Sequence, residues 1–317
     1  MKFKLSNLGK DQSITKSYKA IVCEDQIRIF NHPSTPFLRI YPQNNHVLSR
    51  IVRYPMNYLL RIVIVMCLTI NFADAQVTSK NNAFTFGEEL NFEVSYGWLN
   101  LAEAKLKVGN SVITEGSRPH YKIDAYGNTK GAATLFGKVN DNWGTHLDTG
   151  TLLPSLSYRY IEEGRYRKNE KVYFDQANKK ATVELYDREN KNLKEKKEYK
   201  LPGQVQDLVS GFYLLRTMDL NNLKKGQEIL ITGFFDKEIY NLKLIYEGTE
   251  KIQTNLGTKE TYVFSPQMPK NKLFRGEFPV KVWVTKDQNK IPVKIKANLF
   301  IGSLNLDIAS ANGLRNN

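Results

Sequence analysis

From Glu89 to Ala309 the chain is written mostly in short segments that alternate apolar and polar residues, separated by Gly, Asn and Asp. A period of two is the pattern of a strand with one covered face, and this repetition constrains the fold more than any other feature. Alternating segments run over Glu89–Tyr96, Ala102–Val108, His120–Tyr126, Asp141–Asp148, Ser155–Ile161, Arg165–Phe174 and Ala181–Tyr186. A Lys-rich strand follows at Lys191–Lys200. Later strands are predicted over Glu228–Phe235, Glu238–Glu247, Thr258–Phe264, Val280–Thr285, Val293–Ala297 and Phe300–Ala309. One segment breaks the pattern. Apolar residues at 205, 208, 209, 212 and 215 have helical spacing, after the breaker Pro202-Gly203 and with Asp207 as a capping residue. The spacing predicts a buried helix over about 205–218, and a shorter helix or turn over Gly131–Phe136. So many strands cannot stay in a flat sheet. The predicted fold class is mainly β: a large curved antiparallel sheet, or a partly closed β-barrel, packed around one helix. Such a shape has a mouth where a ligand can sit.

Residues 56–75, MNYLLRIVIVMCLTINFADA, have the order of a secretory signal peptide. Arg61 closes a positive first region, Ile62–Ile70 is unbroken apolar chain, and Ala73-Asp74-Ala75 is a small-x-small cleavage pattern before Gln76. A membrane anchor would need ~20 apolar residues, which this core lacks. Lipidation at Cys67 is disfavoured because Val65 and Met66 precede it rather than small residues. Residues 1–55 are read as an upstream extension, untranslated or disordered, with Met56 as the start. The exported domain is then 76–317, with cleavage between Ala75 and Gln76. N-terminal mass spectrometry of the native protein tests this reading.

The same boundary changes the composition that matters. The whole chain carries +14, but Gln76 to Asn317 holds 36 basic and 28 acidic residues, a net of +8. Cys23 and Cys67 both precede Gln76, so the exported part has no cysteine and depends on its core for stability. Its 242 residues suffice for that. The Lys-rich run is interleaved with Glu195 and Glu198 and reads as a solvated strand. Nucleic acid is not an expected partner, since no recognition motif accompanies the charge. Attraction to an anionic lipid surface is compatible with it.

Several motifs, in this order, resemble the DUF3108 domain. They are Phe86-Gly87-Glu88-Glu89-Leu90, Tyr96-Gly97 and Ala102-Glu103-Ala104 at the start. Asp148, Leu153-Pro154 and Glu163-Gly164-Arg165-Tyr166 fit the middle. Asp207-Leu208-Val209-Ser210-Gly211-Phe212-Tyr213-Leu214-Leu215-Arg216 resembles the family's helix, and Trp283, Ile291-Pro292-Val293-Lys294-Ile295, Leu299 and Gly302-Ser303 its closing hairpin. The resemblance spans about 84–314. Leu101 departs from a frequent Gly, and Val209 from a smaller residue. The resemblance implies an exported β domain of unknown function and implies no reaction.

Catalytic signatures are sparse. The exported part has no G-x-S-x-G, H-E-x-x-H or phosphate-cradling G-x-x-x-x-G-K-[ST] motif. Ser13-Ile14-Thr15-Lys16 matches S-x-x-K but lies upstream of the signal. His146 and Asp148 fall two residues apart on one strand face and are the catalytic candidates. Glu162 and Glu163 are adjacent and point to opposite faces. Trp98, Trp143, Tyr158, Tyr160, Tyr166 and Arg165 are the ligand-binding candidates, since aromatic rings can stack on an apolar ligand or sugar. No metal or other cofactor is expected. The expected function is non-enzymatic binding of an apolar or amphipathic ligand, such as a lipid, in the periplasm or outer envelope. An envelope hydrolase acting on glycan or lipid, and an interaction module pairing through exposed strand edges, are the alternatives.

Overall fold

The alternating segments form fifteen strands in one antiparallel sheet. The structure is a computed structural model, and it describes residues 80–316 apart from 136, 188, 190–191 and 269–275. The expectations for 1–55, for the signal-like run and for the cut after Ala75 lie outside the described residues. The strands are β1 (Glu89–Tyr96), β2 (Leu99–Val108), β3 (Ile113–Glu115), β4 (Arg118–Thr129), β5 (Asn140–Asp148), β6 (Pro154–Glu163), β7 (Tyr166–Asp175), β8 (Lys180–Tyr186) and β9 (Leu193–Lys200). After helix α1 (Leu208–Thr217) come β10 (Glu228–Phe235), β11 (Glu238–Thr254), β12 (Gly257–Pro266), β13 (Val280–Thr285), β14 (Pro292–Asn298) and β15 (Ser303–Asn312). The order is β10-β11-β12-β13-β14-β15-β1-β2-β4-β5-β6-β7-β8-β9, with β3 paired to β4 beside the main path. β1 and β15 pair at the centre, so the two halves of the chain share one sheet.

The sheet curls without closing by backbone pairing: β9 and β10 are its edges. Between them runs the segment before α1. Gln206 N–H donates to the Thr232 carbonyl at 2.9 Å, and Phe234 N–H donates to the Gln206 carbonyl at 2.8 Å. Val205 and Leu201 join Phe234 and the inner residues of β7 and β8 in one apolar cluster. Helix α1 fills the concave side. Val209 and Tyr213 pack on Val108, Tyr121, Ile123 and Leu147, and Leu215 packs on Ile231, Leu244 and Phe264. The helix therefore touches both walls, as its wide apolar face requires.

The mainly β class, the large curved sheet and the buried helix match the sequence reading, while several boundaries differ: β2 starts at Leu99, β4 runs from Arg118 to Thr129 and β11 continues to Thr254. Val205 stands in the extended lead-in, because Asp207 adopts extended backbone and caps the helix from outside. The shorter helix is a single 3-10 stretch, Gly131–Leu135. Phe300 and Ile301 precede β15 and sit in an exposed turn that positive-φ Gly302 completes. Among the described residues no helix is long and apolar enough to cross a membrane.

Candidate functional site

The position of α1 is set at its first turn. The Asp207 carboxylate accepts from the N–H groups of Val209 (2.8 Å) and Ser210 (3.0 Å), while the Ser210 hydroxyl accepts from the Asp207 N–H (2.8 Å). This reciprocal cap satisfies donors that the first turn leaves open. The Thr145 hydroxyl on β5 donates to the same carboxylate at 2.7 Å, which fastens the helix start to the sheet. Burial pushes the Asp207 carboxyl up, against the opposing pull of Thr145 and the Ser210 and Val209 donors.

The other end is fastened by Arg216. Its guanidinium is fully buried and meets Glu88 at 2.5 and 2.8 Å, and it donates to the carbonyl of Asn289 at 3.0 and 3.1 Å and of Ala83 at 3.3 Å. Phe84 and Tyr213 present their rings to it. Helix, N-terminal segment and the β13–β14 turn are thus joined at one charged centre.

Between these two fastenings a cavity of about 380 Å³ lies under the helix. Leu208, Val209 and Phe212 form its helical side, and Phe92, Ala104, Leu106, Ala125, Trp143, Pro292, Ile295 and Leu306 form the sheet side. Lys105 and Tyr126 also line it, and the Lys105 ammonium is held outward by Glu89 at 2.9 Å. Half of Leu208 remains exposed, which puts the helix start at the mouth. The volume falls in the range of small-molecule sites, and the lining is of the apolar kind they share.

A second hollow of about 20 Å³ lies beside the first, past Trp143 and Leu208. Its walls carry a charged group. Arg159 donates through Nε to Glu170 at 2.7 Å and lies over the rings of Phe235 and Trp143, which stack on each other at 5.7 Å. Asp236, in the β10–β11 turn, reaches Arg159 at 3.1 Å and Lys168 at 2.8 Å. This group joins β6 and β7 to the far end of the sheet. The space fits about one water.

The candidates read from sequence are scattered. Trp143 alone faces the cavity. Tyr158 and Tyr160 lie on the opposite face of the sheet, where the Tyr158 ring covers Gly144 and its hydroxyl donates to Asp124 at 2.5 Å. A Cβ on Gly144 would come within 2.1 Å of that ring, so only glycine fits there. Trp98 projects from the β1–β2 turn, and Arg165 and Tyr166 lie at the exposed β6–β7 turn. His146 and Asp148 do share the outer face, each with its own partners. Asp148 accepts from the N–H groups of Gly150 (2.9 Å) and Thr151 (2.8 Å) and shapes the turn after β5. His146 Nδ1 bonds Glu115 on β3, which also accepts from the Ser155 hydroxyl. Burial, the largest influence on Glu115, acts upward, yet Ser155 and His146 bring its carboxyl below the usual range. Ser155 thus points its proton at an already stabilised carboxylate rather than at an imidazole. That is not the geometry of an activated nucleophile. Among the described residues no group of three His, Cys, Asp or Glu is placed to hold a metal.

The residues that the sequence did not single out are the cavity's small and aliphatic ones, Ala104, Leu106, Ala125, Ile295 and Leu306. They come from four strands, β2, β4, β14 and β15, and alternation marks them only as core. Phe212 was legible as part of the helix's apolar face.

Comparison with solved structures finds a β-barrel-like protein of domain of unknown function DUF1849 from Brucella abortus, at 8% identity and TM-score 0.48, covering 73% of this chain and 99% of that one. A lipoprotein candidate from Parabacteroides distasonis aligns at 12% identity and TM-score 0.30, covering 74% and 99%. An exported-protein candidate with a YmcC-like fold from Bacteroides fragilis aligns at 9% and 0.28, also covering 74% and 99%. Likeness at this level carries no function between chains. No curated protein matches the sequence. The family model for DUF3108, a protein family of unknown function, matches residues 91–309, from within β1 to within β15 and across the whole cavity wall, and the chain belongs to that family.

Proposed function

We propose that the protein is a non-enzymatic, exported binder of a small apolar or amphipathic molecule, held under α1. The cavity of about 380 Å³ with its aliphatic lining is the observation that carries this reading. Leu208, half exposed at the mouth, suits a ligand whose apolar body lies in the cavity and whose polar end reaches solvent. The signal-like run at 56–75 supports export, with a folded domain from Gln76 in the periplasm or outer envelope. Hydrolase chemistry at His146 has less support, because His146, Glu115 and Ser155 lie on the outer face, away from the cavity.

The test combines occupancy and filling. Organic extraction of protein purified from its native host is expected to release a stoichiometric apolar compound. The emptied protein is expected to bind 1-anilinonaphthalene-8-sulfonate. Ala125→Leu adds a side chain into the cavity, and it is expected to weaken dye binding by about tenfold or more, the scale of one displaced aliphatic group. Full dye binding by Ala125→Leu, in a variant with an unchanged circular dichroism spectrum, would overturn the proposal.

A further inference from the structure

The turn Gly97-Trp98 between β1 and β2 and the turn Leu299–Gly302 between β14 and β15 stand side by side at one end of the sheet. The Tyr96 hydroxyl donates to the Ile301 carbonyl at 2.7 Å, and Gly302 lets the Tyr96 ring pack against its backbone: a Cβ there would meet the hydroxyl oxygen at 2.7 Å and the ring at 2.8 Å. The turns are therefore held together. What they display is apolar: Trp98 is 88% exposed, Ile301 80% and Phe300 62%, with Leu99 beside them. Single exposed apolar residues are ordinary, but four on two locked turns are a patch.

Two lysines stand behind the patch. One cross-strand row behind the apolar row Val280, Ala297, Leu304, Tyr96 and Leu99 that borders the turns, Lys281, Lys296, Asn305, Ser95 and Asn100 run across β13, β14, β15, β1 and β2 with no carboxylate among them. Lys281 and Lys296 are directly opposite each other. Like charges at that position destabilise a sheet, and neither has an ion pair among the described residues. The carboxylates lie one row back, at Asp307, Glu93 and Glu103, where Asp307 and Glu103 meet Lys294 and Lys130.

We infer that these two turns form a docking surface for an anionic lipid bilayer. Trp98, Phe300 and Ile301 enter the interfacial region, where an amphipathic indole and apolar side chains are favoured, and Lys281 and Lys296 meet the lipid headgroups. The four strands that the turns join, β1, β2, β14 and β15, run on to the cavity wall. Phe92 is four residues before Tyr96, about 13 Å along β1, so docking brings the cavity close to a source of apolar ligand. The inference does not require the cavity to be filled.

The experiment is co-sedimentation of the protein, purified from its native host, with vesicles of phosphatidylcholine alone or with 30% phosphatidylglycerol. Binding to the anionic vesicles is expected, weakening as salt is raised. Trp98→Ser with Phe300→Ser is expected to lower the partition coefficient about tenfold or more, the scale of one or two buried side chains, with the thermal transition unchanged because both residues are exposed. Lys281→Gln with Lys296→Gln is expected to remove the preference for anionic vesicles and keep weak residual binding. No sedimentation of the wild type would overturn the inference, and so would equal binding by the Trp98/Phe300 variant. A dimer that this variant abolishes, without vesicle binding, would assign the patch to a second copy instead and also overturn it. Dye binding in the cavity is expected to be unchanged in the Trp98/Phe300 variant, so this inference and the proposed function can fail separately.

Discussion

Arg216 makes the largest demand of any single residue in the core. A fully buried guanidinium is tolerated only because Glu88 neutralises it and the Asn289 and Ala83 carbonyls take its remaining protons. Removing one partner leaves the other charged, buried and alone. Arg216→Met and Glu88→Gln are each expected to cost about 3–5 kcal/mol in urea denaturation, and Glu88→Gln combined with Arg216→Met less than the sum of the two single losses. Additive losses would show that the two residues act independently. Both residues sit in motifs that the sequence made visible, Gly87-Glu88-Glu89-Leu90 and the helix ending at Arg216. Their meeting was not visible, because alternation marks which face a residue takes and says nothing about a partner 128 positions away. His146 shows the same limit. Its shared face with Asp148 followed from strand parity alone. Its actual partner, Glu115, comes from a strand of three residues, too short to leave a period in the sequence.

For the elements, the helix shows what local chemistry decides. Apolar spacing located α1, and Asp207 was legible as its cap because a short acidic side chain can reach the N–H groups two and three residues on. Spacing alone placed the start at Val205. The chain is extended there because Gln206 pairs with β10, a contact made by tertiary structure. Asp207 also ties helix stability to pH. Burial holds its carboxyl above its ordinary value of 3.8, so the folded state binds the proton more tightly than the unfolded chain. This contribution is fully present below 3.8 and is lost as pH rises through the folded value. Asp207→Asn keeps a capping side chain and has no charge to bury. The stability of this variant relative to wild type is therefore expected to rise with pH across that window, read from urea midpoints between pH 3 and 8. A constant difference would mean that the carboxylate is fully compensated. Asp207→Ala removes the cap itself and is expected to cost about 1 kcal/mol, with the loss of the Thr145 bond added to it.

Over the whole molecule, the order of strands followed from the sequence only in part. Most consecutive strands pair, as alternation with turn residues predicts, but β2 passes over β3 to pair with β4, and the join of β1 to β15 and the seam between β9 and β10 come from the sheet's twist and length. The seam is the weakest line in the fold. β9 is exposed along its length except at Tyr199, and its lysines guard an edge that no strand covers. Across the gap, Asp236 holds Arg159 and Lys168, and Lys237 holds Glu195 at 2.9 Å. Lys168 and Arg159 in turn keep the Asp236 carboxyl below its usual range, so it stays charged at neutral pH. These pairs are partly exposed, and each contributes little alone. Their effect should therefore appear in local opening rather than in global stability. Amides of β9 are expected to exchange hydrogen faster than those of β8, which has a paired strand on both sides. Asp236→Asn, the uncharged mimic, is expected to speed exchange in β9 and at the end of β10 several-fold while β1, β4 and β5 keep their protection. A uniform rise across the sheet would mean that Asp236 supports the global fold. No change in β9 or β10 would mean that the Val205–Phe234 packing holds the seam without it.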